Sequence, residues 1–517
     1  MEGAQAPGAA AAPPPGERIG GQIRGSMLLL LGRFLSLAIN FVTQVLIVRS
    51  LSKGDFGAFA YGLSIVAVAQ AFALFGFDRA ITRFVPIYEE RREYGKALGT
   101  VVFAAGSVAG LGAGIMLLAY GLQGVVRGSL IDDEQAVTVL VILIALAPIQ
   151  ALDNLLVGLF AVFSKPRAIF FRRHIVAPGL RLAVVLLLVL VGSGVVFLSV
   201  GYVLAGAAGV ALYVGILLRV MRREGHMERF RSEPMRVPTR EILLLTVPLL
   251  STDLVYSLMS STDAILLGYF RGSEEVADLR VVQPAAQLNQ LVLFSFTLLF
   301  TPLAARFFAQ GDRKSIGDLY WQTAAWVAVI SFPVFAVTFA LAEPVTVTVY
   351  GDQYRDSGTY LALLSLGYYV QAAFGFNGTT LMVFGKVKLI IAVNLLAVLV
   401  NLGLNLLLIP PYGAMGAAVA TAVTLVAHNV FKQTALRLGT SVAFFDAGYL
   451  KIYASIALGM IGLTVARAAL TDSLVVLLVL TTVASAAVLW LNRRLLRIGQ
   501  TFPELQRLPL AHRLFGD

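Results

Sequence analysis

Two largely apolar stretches of the chain carry polar side chains at the spacing of one helical face. Steps of three and four residues place side chains on the same face of an α-helix. The polar positions are Arg33, Ser36, Asn40 and Thr43 in the first stretch, and Asp253, Tyr256, Ser260 and Asp263 in the second. An unpaired polar group in hydrocarbon is costly, so each stripe indicates a face that meets protein or water. Arg33 cannot lose its proton, and its planar guanidinium suits phosphate oxygens.

The elements that must position these stripes are membrane-spanning helices. The chain has 517 residues, of which 58% are hydrophobic and 13% charged, about half the charged fraction of a soluble domain. A spanning helix needs about 20 mostly apolar residues. Fourteen stretches meet this requirement: 27–50, 56–78, 97–121, 136–164, 168–193, 195–219, 241–268, 281–305, 322–342, 359–384, 388–409, 413–437, 448–470 and 473–496. The runs lack the alternation of transmembrane strands, and we predict an all-α polytopic membrane protein.

Lys and Arg accumulate in alternate connections between the predicted spans. Cytoplasmic loops collect these residues, so we predict a protein of the cytoplasmic membrane with both termini inside. The basic set includes Arg79 and Arg172, and the sparse outer set includes Lys53 and Arg280. This distribution accounts for the net charge of +11 without nucleic acid as a partner. The chain has no cysteine, which excludes disulfides and cysteine nucleophiles.

An internal repeat of about 220 residues divides the chain. The segment GLFAVFSKPRAI from Gly158 resembles GTTLMVFGKVKLI from Gly378, and TRFVPIYEERREYGKAL from Thr82 resembles ARFFAQGDRKSIGDLY from Ala305. Two lobes of six spans each have the same topology, a parallel repeat that places substrate between the halves. The predicted organisation is a disordered cytoplasmic tail at 1–26, a lobe at 27–219, a basic cytoplasmic linker at 220–240, a lobe at 241–438, two appended spans at 448–496 and a cytoplasmic tail at 497–517.

The chain resembles the polysaccharide-transporter branch of the multidrug/oligosaccharidyl-lipid/polysaccharide flippase superfamily, the Wzx-type oligosaccharide flippases. The resemblance rests on the plan of six, six and two spans and on three segments, LSKGDFGAFAY, GFDRAITRFVP and PYGAMGAAVAT. It covers nearly the whole chain. It implies a MATE-like fold of two six-helix bundles around a central cavity, and the transport of undecaprenyl- or dolichyl-linked sugars, for which relatives use cation gradients.

In such a fold the two polar stripes should face each other across the cavity, because the repeat matches Arg33 to Asp253. We expect Arg33 to contact the pyrophosphate of the substrate, with Asp253 as its counter-ion when the cavity is empty. The alternative is that Arg33 snorkels to the membrane surface. A phosphate contact and a buried pair with Asp153 are both open for Arg181. The predicted substrate-binding residues are Arg33, Asn40, Asp253, Tyr256, Ser260, Arg181, Gln283 and Gln287.

The resemblance also implies a site for a coupling ion, because some relatives bind sodium in the second lobe. The matching residues here are Asp253, Asp263, Asn401, Asn405, Thr421 and Thr424. The span of Asn401 and Asn405 carries no carboxylate, so helix packing by these amides competes with this interpretation. The alternative to an ion-binding role for Asp263 is a solvated position near the outer end of its span. His174 and His428 are expected at the membrane interface. Sodium and the proton remain the candidate ions; we predict no cofactor and no firm metal site.

The predicted function is a flippase that moves polyprenyl-phosphate- or polyprenyl-pyrophosphate-linked oligosaccharide by alternating access, in polysaccharide or glycan biosynthesis. A MATE-type multidrug or cation antiporter is the alternative, although an arginine in the cavity disfavours cationic drugs. A membrane glycan polymerase or ligase would need a sizeable outer loop with acid–base residues, and the outer loops are short, so we predict no enzyme. Expected partners are lipid-linked oligosaccharide, membrane lipids and polysaccharide-assembly enzymes, and we expect a monomer.

Overall fold

The structure is a computed structural model that describes residues 15–129, 134–163, 170–440, 442–470 and 473–496. Within these ranges the regular structure is helical, without strands. Ten of the described helical segments are long and apolar enough to cross a membrane, or eleven when one bent pair counts as one span. The predicted all-α polytopic membrane fold is confirmed, whereas the count of fourteen spans stays a prediction.

The first half of the chain forms eight helices, which we number α1 to α8. They are α1 (Pro15–Ser50), α2 (Lys53–Leu74), α3 (Phe77–Glu90), α4 (Tyr94–Ser129), α5 (Glu134–Leu143), α6 (Leu146–Phe163), α7 (Ala177–Val191) and α8 (Val195–Arg223). A π-helical turn, Phe171–Val176, leads into α7. Between α2 and α3, Phe75 and Gly76 have φ values of 52° and 71°, and this left-handed pair ends α2.

The connection and the second half contain the remaining helices, α9 to α19. They are α9 (His226–Arg231), α10 (Thr239–Arg271), α11 (Ser273–Gln287), α12 (Leu291–Ala309), α13 (Arg313–Phe339), α14 (Ala342–Tyr350), α15 (Ser357–Ala373), α16 (Asn377–Val383), α17 (Val387–Gly439), α18 (Leu450–Leu470) and α19 (Leu474–Leu491). We use "second half" for α10 to α17.

The helix α17 contains two of the predicted spans and is interrupted between them at Gly413, where φ is 54° and ψ is −133°. The N–H of Ala414 donates to the Glu275 carboxylate of α11 at 2.5 Å. A Cβ on Gly413 would lie 2.0 Å from Oε2 of Glu275. Glycine is therefore required at this turn both for its backbone conformation and for the close approach of α11.

Several predicted spans are broken helices rather than straight rods. The second predicted span divides into α2 and α3, and the fourth into α5 and α6. Their counterparts in the repeat are also broken, because the eighth divides into α11 and α12 and the tenth into α15 and α16. Breaks in corresponding spans agree with the predicted internal repeat.

Packing around α2 joins the two halves of the chain. This helix contacts α5 and α6 of the first half and also α10 and α11 of the second half. One buried apolar cluster includes Phe56 and Phe59 of α2 together with Val276 and Leu279 of α11. The appended helices α18 and α19 pack instead on α13, where Phe332 belongs to their apolar cluster.

Candidate functional site

A cavity of about 610 Å³ lies where α1, α2 and α7 of the first half meet α10, α11, α15 and α17 of the second half. Part of each polar stripe reaches it: Asn40 and Thr43 from α1, and Ser260 and Asp263 from α10. The predicted residues that the structure brings together in its wall are Asn40, Arg181, Ser260, Asp263, Gln283, Gln287, Asn401, Thr421 and Thr424. The sequence pattern therefore located much of the polar lining of this cavity.

Arg181 is the cation that α7 contributes to the cavity wall. It also borders a smaller space of about 50 Å³ inside the first half, which Asp153 lines as well. Asp153 nevertheless pairs with the buried Arg172, whose Nη2 is 2.5 Å from Oδ1. The guanidinium of Arg172 also stacks on Tyr213, 4.3 Å from the ring centroid. The proposed pair between Arg181 and Asp153 is thus replaced by Arg172, and Arg181 has no ion-pair partner among the described residues.

Arg280 lies in the cavity wall, although the sequence assigned it to the outer connections. Its Nη2 is 3.3 Å from Oδ1 of Asp263 and donates to the Ser260 carbonyl at 3.0 Å. Its Nη1 donates to Oε1 of Gln283 at 2.6 Å. The Asp263 side chain is only 4% exposed, which corrects the solvated alternative. A buried charge requires such a partner because desolvation of an unpaired carboxylate is costly.

Arg33 does not line the cavity as the structure describes it. Its guanidinium carbon lies 4.2 Å from the centroid of the Phe294 ring, so it makes a cation–π contact between α1 and α12. One turn further along α1, Ser36 is 2.8 Å from Nδ1 of His174. His174 is buried at this contact, and its position at the membrane interface stays a prediction. The pyrophosphate contact of Arg33 stays a prediction.

Asp253 is paired with a cation other than the one predicted. Its Oδ1 is 2.5 Å from Nη2 of Arg79, which α3 presents. The predicted pair with Arg33 is therefore wrong for this conformation, because α3 rather than α1 lies beside this part of α10. Tyr256 belongs to the same stripe, and its side chain lies outside the described part of the chain.

The predicted ion-site residues on α17 bond mainly to one another. Nδ2 of Asn401 donates to Oγ1 of Thr424 at 3.4 Å, and Nδ2 of Asn405 donates to the Asn401 carbonyl at 2.9 Å. Oγ1 of Thr421 and Oδ1 of Asn405 are buried and have no hydrogen-bond partner among the residues that the structure describes. Asp253 and Asp263 are held by arginines elsewhere. Among the described residues, no group of three His, Cys, Asp or Glu side chains could hold a metal.

Sequence reasoning missed several cavity residues besides Arg280. Tyr368 and Gln371 come from α15, and Gln44 from α1. Gln44 Nε2 donates to the Val281 carbonyl at 3.1 Å and so bridges the two halves. His428 also lines the cavity and is 6% exposed, and its position at the membrane interface stays a prediction. Gln371 stands at helical spacing after Tyr368, a signal that could have identified the pair.

Solved structures of transporters share this fold. The lipid II flippase MurJ, in an inward closed conformation, matches with a TM-score of 0.68 and 12% identity, covering 93% of this chain and 99% of that one. An inward-facing multidrug resistance MATE family transporter of the MOP superfamily matches with a TM-score of 0.58 and 15% identity, covering 78% and 94%. The chain therefore has the fold of these two transporters, with a cavity between its halves.

Residues 23–308 match the sequence model of the polysaccharide biosynthesis protein family, and residues 248–407 match that of the MatE family. The chain belongs to the polysaccharide biosynthesis protein family, which confirms the resemblance seen in the sequence. An uncharacterized membrane protein of Methanocaldococcus jannaschii is 22% identical over 77% of this chain and 80% of its own length. The capsular polysaccharide biosynthesis protein CapF of Staphylococcus aureus is 22% identical over 36% of this chain and 47% of its own.

Proposed function

We propose that this protein moves a polyprenyl-phosphate- or polyprenyl-pyrophosphate-linked oligosaccharide across the cytoplasmic membrane, in the synthesis of surface polysaccharide or another glycan. Membership of the polysaccharide biosynthesis protein family supports the pathway. The shared fold of the lipid II flippase MurJ is consistent with a lipid-linked cargo. We propose that the cargo moves outward, and the distribution of Lys and Arg predicts that both termini lie in the cytoplasm.

The observation that carries this proposal is a cavity cation, Arg181, that has no ion-pair partner among the described residues, whereas Arg280, the other arginine of the wall, is paired with Asp263. Arg181 lines the cavity, and its guanidinium can bind two phosphate oxygens at once. The amides of Asn40, Gln283 and Gln287 are suited to hydrogen bonding with sugar hydroxyls. Arg33, exposed between α1 and α12, is the second proposed phosphate contact.

Alternating access requires contacts between the halves that break at one end of the cavity at a time. Two ion pairs flank the cavity along α2 and α3. Nζ of Lys53 is 2.8 Å from Oδ2 of Asp278 at the start of α2, and Arg79 pairs with Asp253 beyond the other end of the lining. One ion pair between the halves thus lies near each end of the cavity, and we assign Lys53 to the outer end and Arg79 to the inner end.

The decisive experiment extracts lipid-linked oligosaccharide from a strain that lacks the protein and quantifies it by mass spectrometry beside the surface glycan. We expect the surface polymer to disappear and a completed lipid-linked sugar to accumulate, and this sugar would identify the cargo. Complementation with the wild-type gene is the control. Unchanged amounts of both molecules would refute the proposal.

The match of residues 248–407 to the MatE family supports a second candidate function, the export of cationic drugs by antiport. The same strain distinguishes the two functions. An exporter predicts greater sensitivity to cationic dyes with normal surface glycan, whereas a flippase predicts the reverse.

A further inference from the structure

His428 is a titratable side chain of the cavity wall that phosphate recognition does not use. It lies on the second part of α17, and its Nε2 is 2.9 Å from Oδ1 of Asn394 on the first part. With the amide oxygen as acceptor, Nε2 carries the hydrogen of the neutral ring. Nδ1 has no hydrogen bond to any residue that the structure describes, and it is the nitrogen left to take up a proton.

The neighbouring residues do not form a strong site for a metal cation. Thr424 lies one helical turn before His428 and accepts from Asn401. The predicted carboxylates, Asp253 and Asp263, are paired with arginines. Hard cations are held by several oxygen ligands, usually including carboxylates. The unpartnered oxygens of Thr421 and Asn405 alone are too few.

Lys432 lies one helical turn beyond His428 along α17. Arg181, Arg280 and Asp263 are the charged residues of the described cavity wall. A second positive charge is disfavoured where a ring is buried beside a cation. The His428 side chain is buried in this structure, and water that enters a more open cavity would stabilise the protonated ring.

We propose that His428 binds the coupling proton of the transport cycle at Nδ1. The ring takes up the proton when the cavity opens outward and the cargo has left, and it releases the proton inward as the empty carrier returns. Repulsion from Lys432 keeps the proton from being held through the cycle. This inference rests on the proposed function, because the proton bound by His428 would be the ion that drives cargo export.

Protonation of His428 should shift the balance between closed and open cavities, because proton binding stabilises the conformation that binds protons more tightly. The chain lacks cysteine, so introduced pairs of cysteines can carry spin labels without background. We suggest Ser50→Cys with Gln353→Cys at one end, and Glu90→Cys with Gln310→Cys at the other. All four positions are exposed, and each pair joins the two halves.

The measurement is the distance distribution of each spin-label pair, in the full-length protein in lipid nanodiscs, between pH 5 and pH 8. We expect acid to lengthen the distance of the outer pair, Ser50→Cys with Gln353→Cys, in wild type and to have no such effect in His428→Gln. Lys432→Gln should move the midpoint to higher pH, by about half a unit or more for charges one turn apart. Replacement of sodium by potassium should leave the midpoint unchanged.

His226→Gln is the matched control, because His226 contacts Glu89 and Glu224 away from the cavity. A pH response that is absent in wild type, or that persists in His428→Gln, would overturn the assignment. A response to sodium rather than to pH would identify a sodium site instead. These results do not depend on the cargo, so a failure of the flippase proposal in cells leaves this test intact.

Discussion

Arg79 and Asp253 form an ion pair of 2.5 Å between helices from different halves of the chain. Arg79 belongs to α3 and Asp253 to α10. Their side chains are 45% and 22% exposed, so the pair is partly hydrated and contributes little to overall stability. Because it lies beyond one end of the cavity lining, we propose that it regulates access at that end.

Loss of the inner pair should open the inner end of the cavity. In a protein with Ser64→Cys as its single cysteine, a reporter in the cavity wall, we expect Arg79→Gln to accelerate labelling by a membrane-impermeant maleimide added from the cytoplasmic side. A pair worth about 0.5 to 1 kcal/mol corresponds to a roughly two- to fivefold faster rate. Arg313→Gln, an exposed charge outside the cavity lining, is the control, and equal rates in both variants would contradict the assignment.

The outer pair should behave in the opposite sense. Lys53 contacts Asp278 at 2.8 Å, and Oγ of Ser357 also donates to Asp278 at 3.0 Å. In the same Ser64→Cys reporter, we expect Lys53→Gln to accelerate labelling from the outside and not from the cytoplasm. Faster labelling from both sides would mean that the substitution loosens the whole bundle rather than one end.

The two cavity arginines should differ in what their removal does. Arg181→Gln should lower transport about 10- to 100-fold, the loss of a hydrogen bond of about 1.5 to 3 kcal/mol to a charged ligand, with little change in thermal unfolding. Arg280→Gln leaves the buried Asp263 unpaired, a destabilisation of about 3 to 5 kcal/mol. Lipid-linked oligosaccharide in complemented cells and unfolding of the purified proteins measure the two effects.

If Arg181→Gln transported normally, the phosphate contact would have to lie elsewhere, with Arg33 as the remaining candidate. Arg181→Lys separates charge from geometry. The lysine restores the positive charge without the planar pair of donors, and we expect partial rather than full recovery.

Glu343 gives the protein a pH dependence outside the spans. Hydrogen bonds from Arg355 and then Arg467 hold the pKa of Glu343 below its ordinary value. Because this folded-state pKa is depressed, the stabilisation is present at neutral pH and is lost as pH falls through the lowered pKa. Glu343→Gln should lower the unfolding temperature at pH 7 and have a smaller effect near pH 3. An effect that does not change with pH would show that the contact is not electrostatic.

The sequence was sufficient to predict those features that show as a regular pattern along the chain. Apolar length identifies spans, and the spacing of Asn40 and Thr43, or of Ser260 and Asp263, identifies faces that meet the cavity. The sequence did not predict which side chains pair with one another, because the pairs depend on how the helices pack. Arg280 lies close to the end of a predicted span, where residue counting cannot separate a loop cation from a wall cation. Arg172, which pairs with Asp153 in place of Arg181, lies in a π-helical turn that the sequence pattern did not predict.

The left-handed break at Phe75 and Gly76 has a mechanical consequence. Lys53 is carried by α2 and Arg79 by α3, so the two ion pairs belong to separate rods joined at a hinge. A Cβ on Gly76 would lie 3.3 Å from Leu249 of α10. The hinge therefore packs closely on α10, the helix that carries Asp253. Tilting of α3 can break the ion pair of Arg79 while the ion pair of Lys53 on α2 stays formed. In a continuous helix through this point, both ion pairs would have to break together.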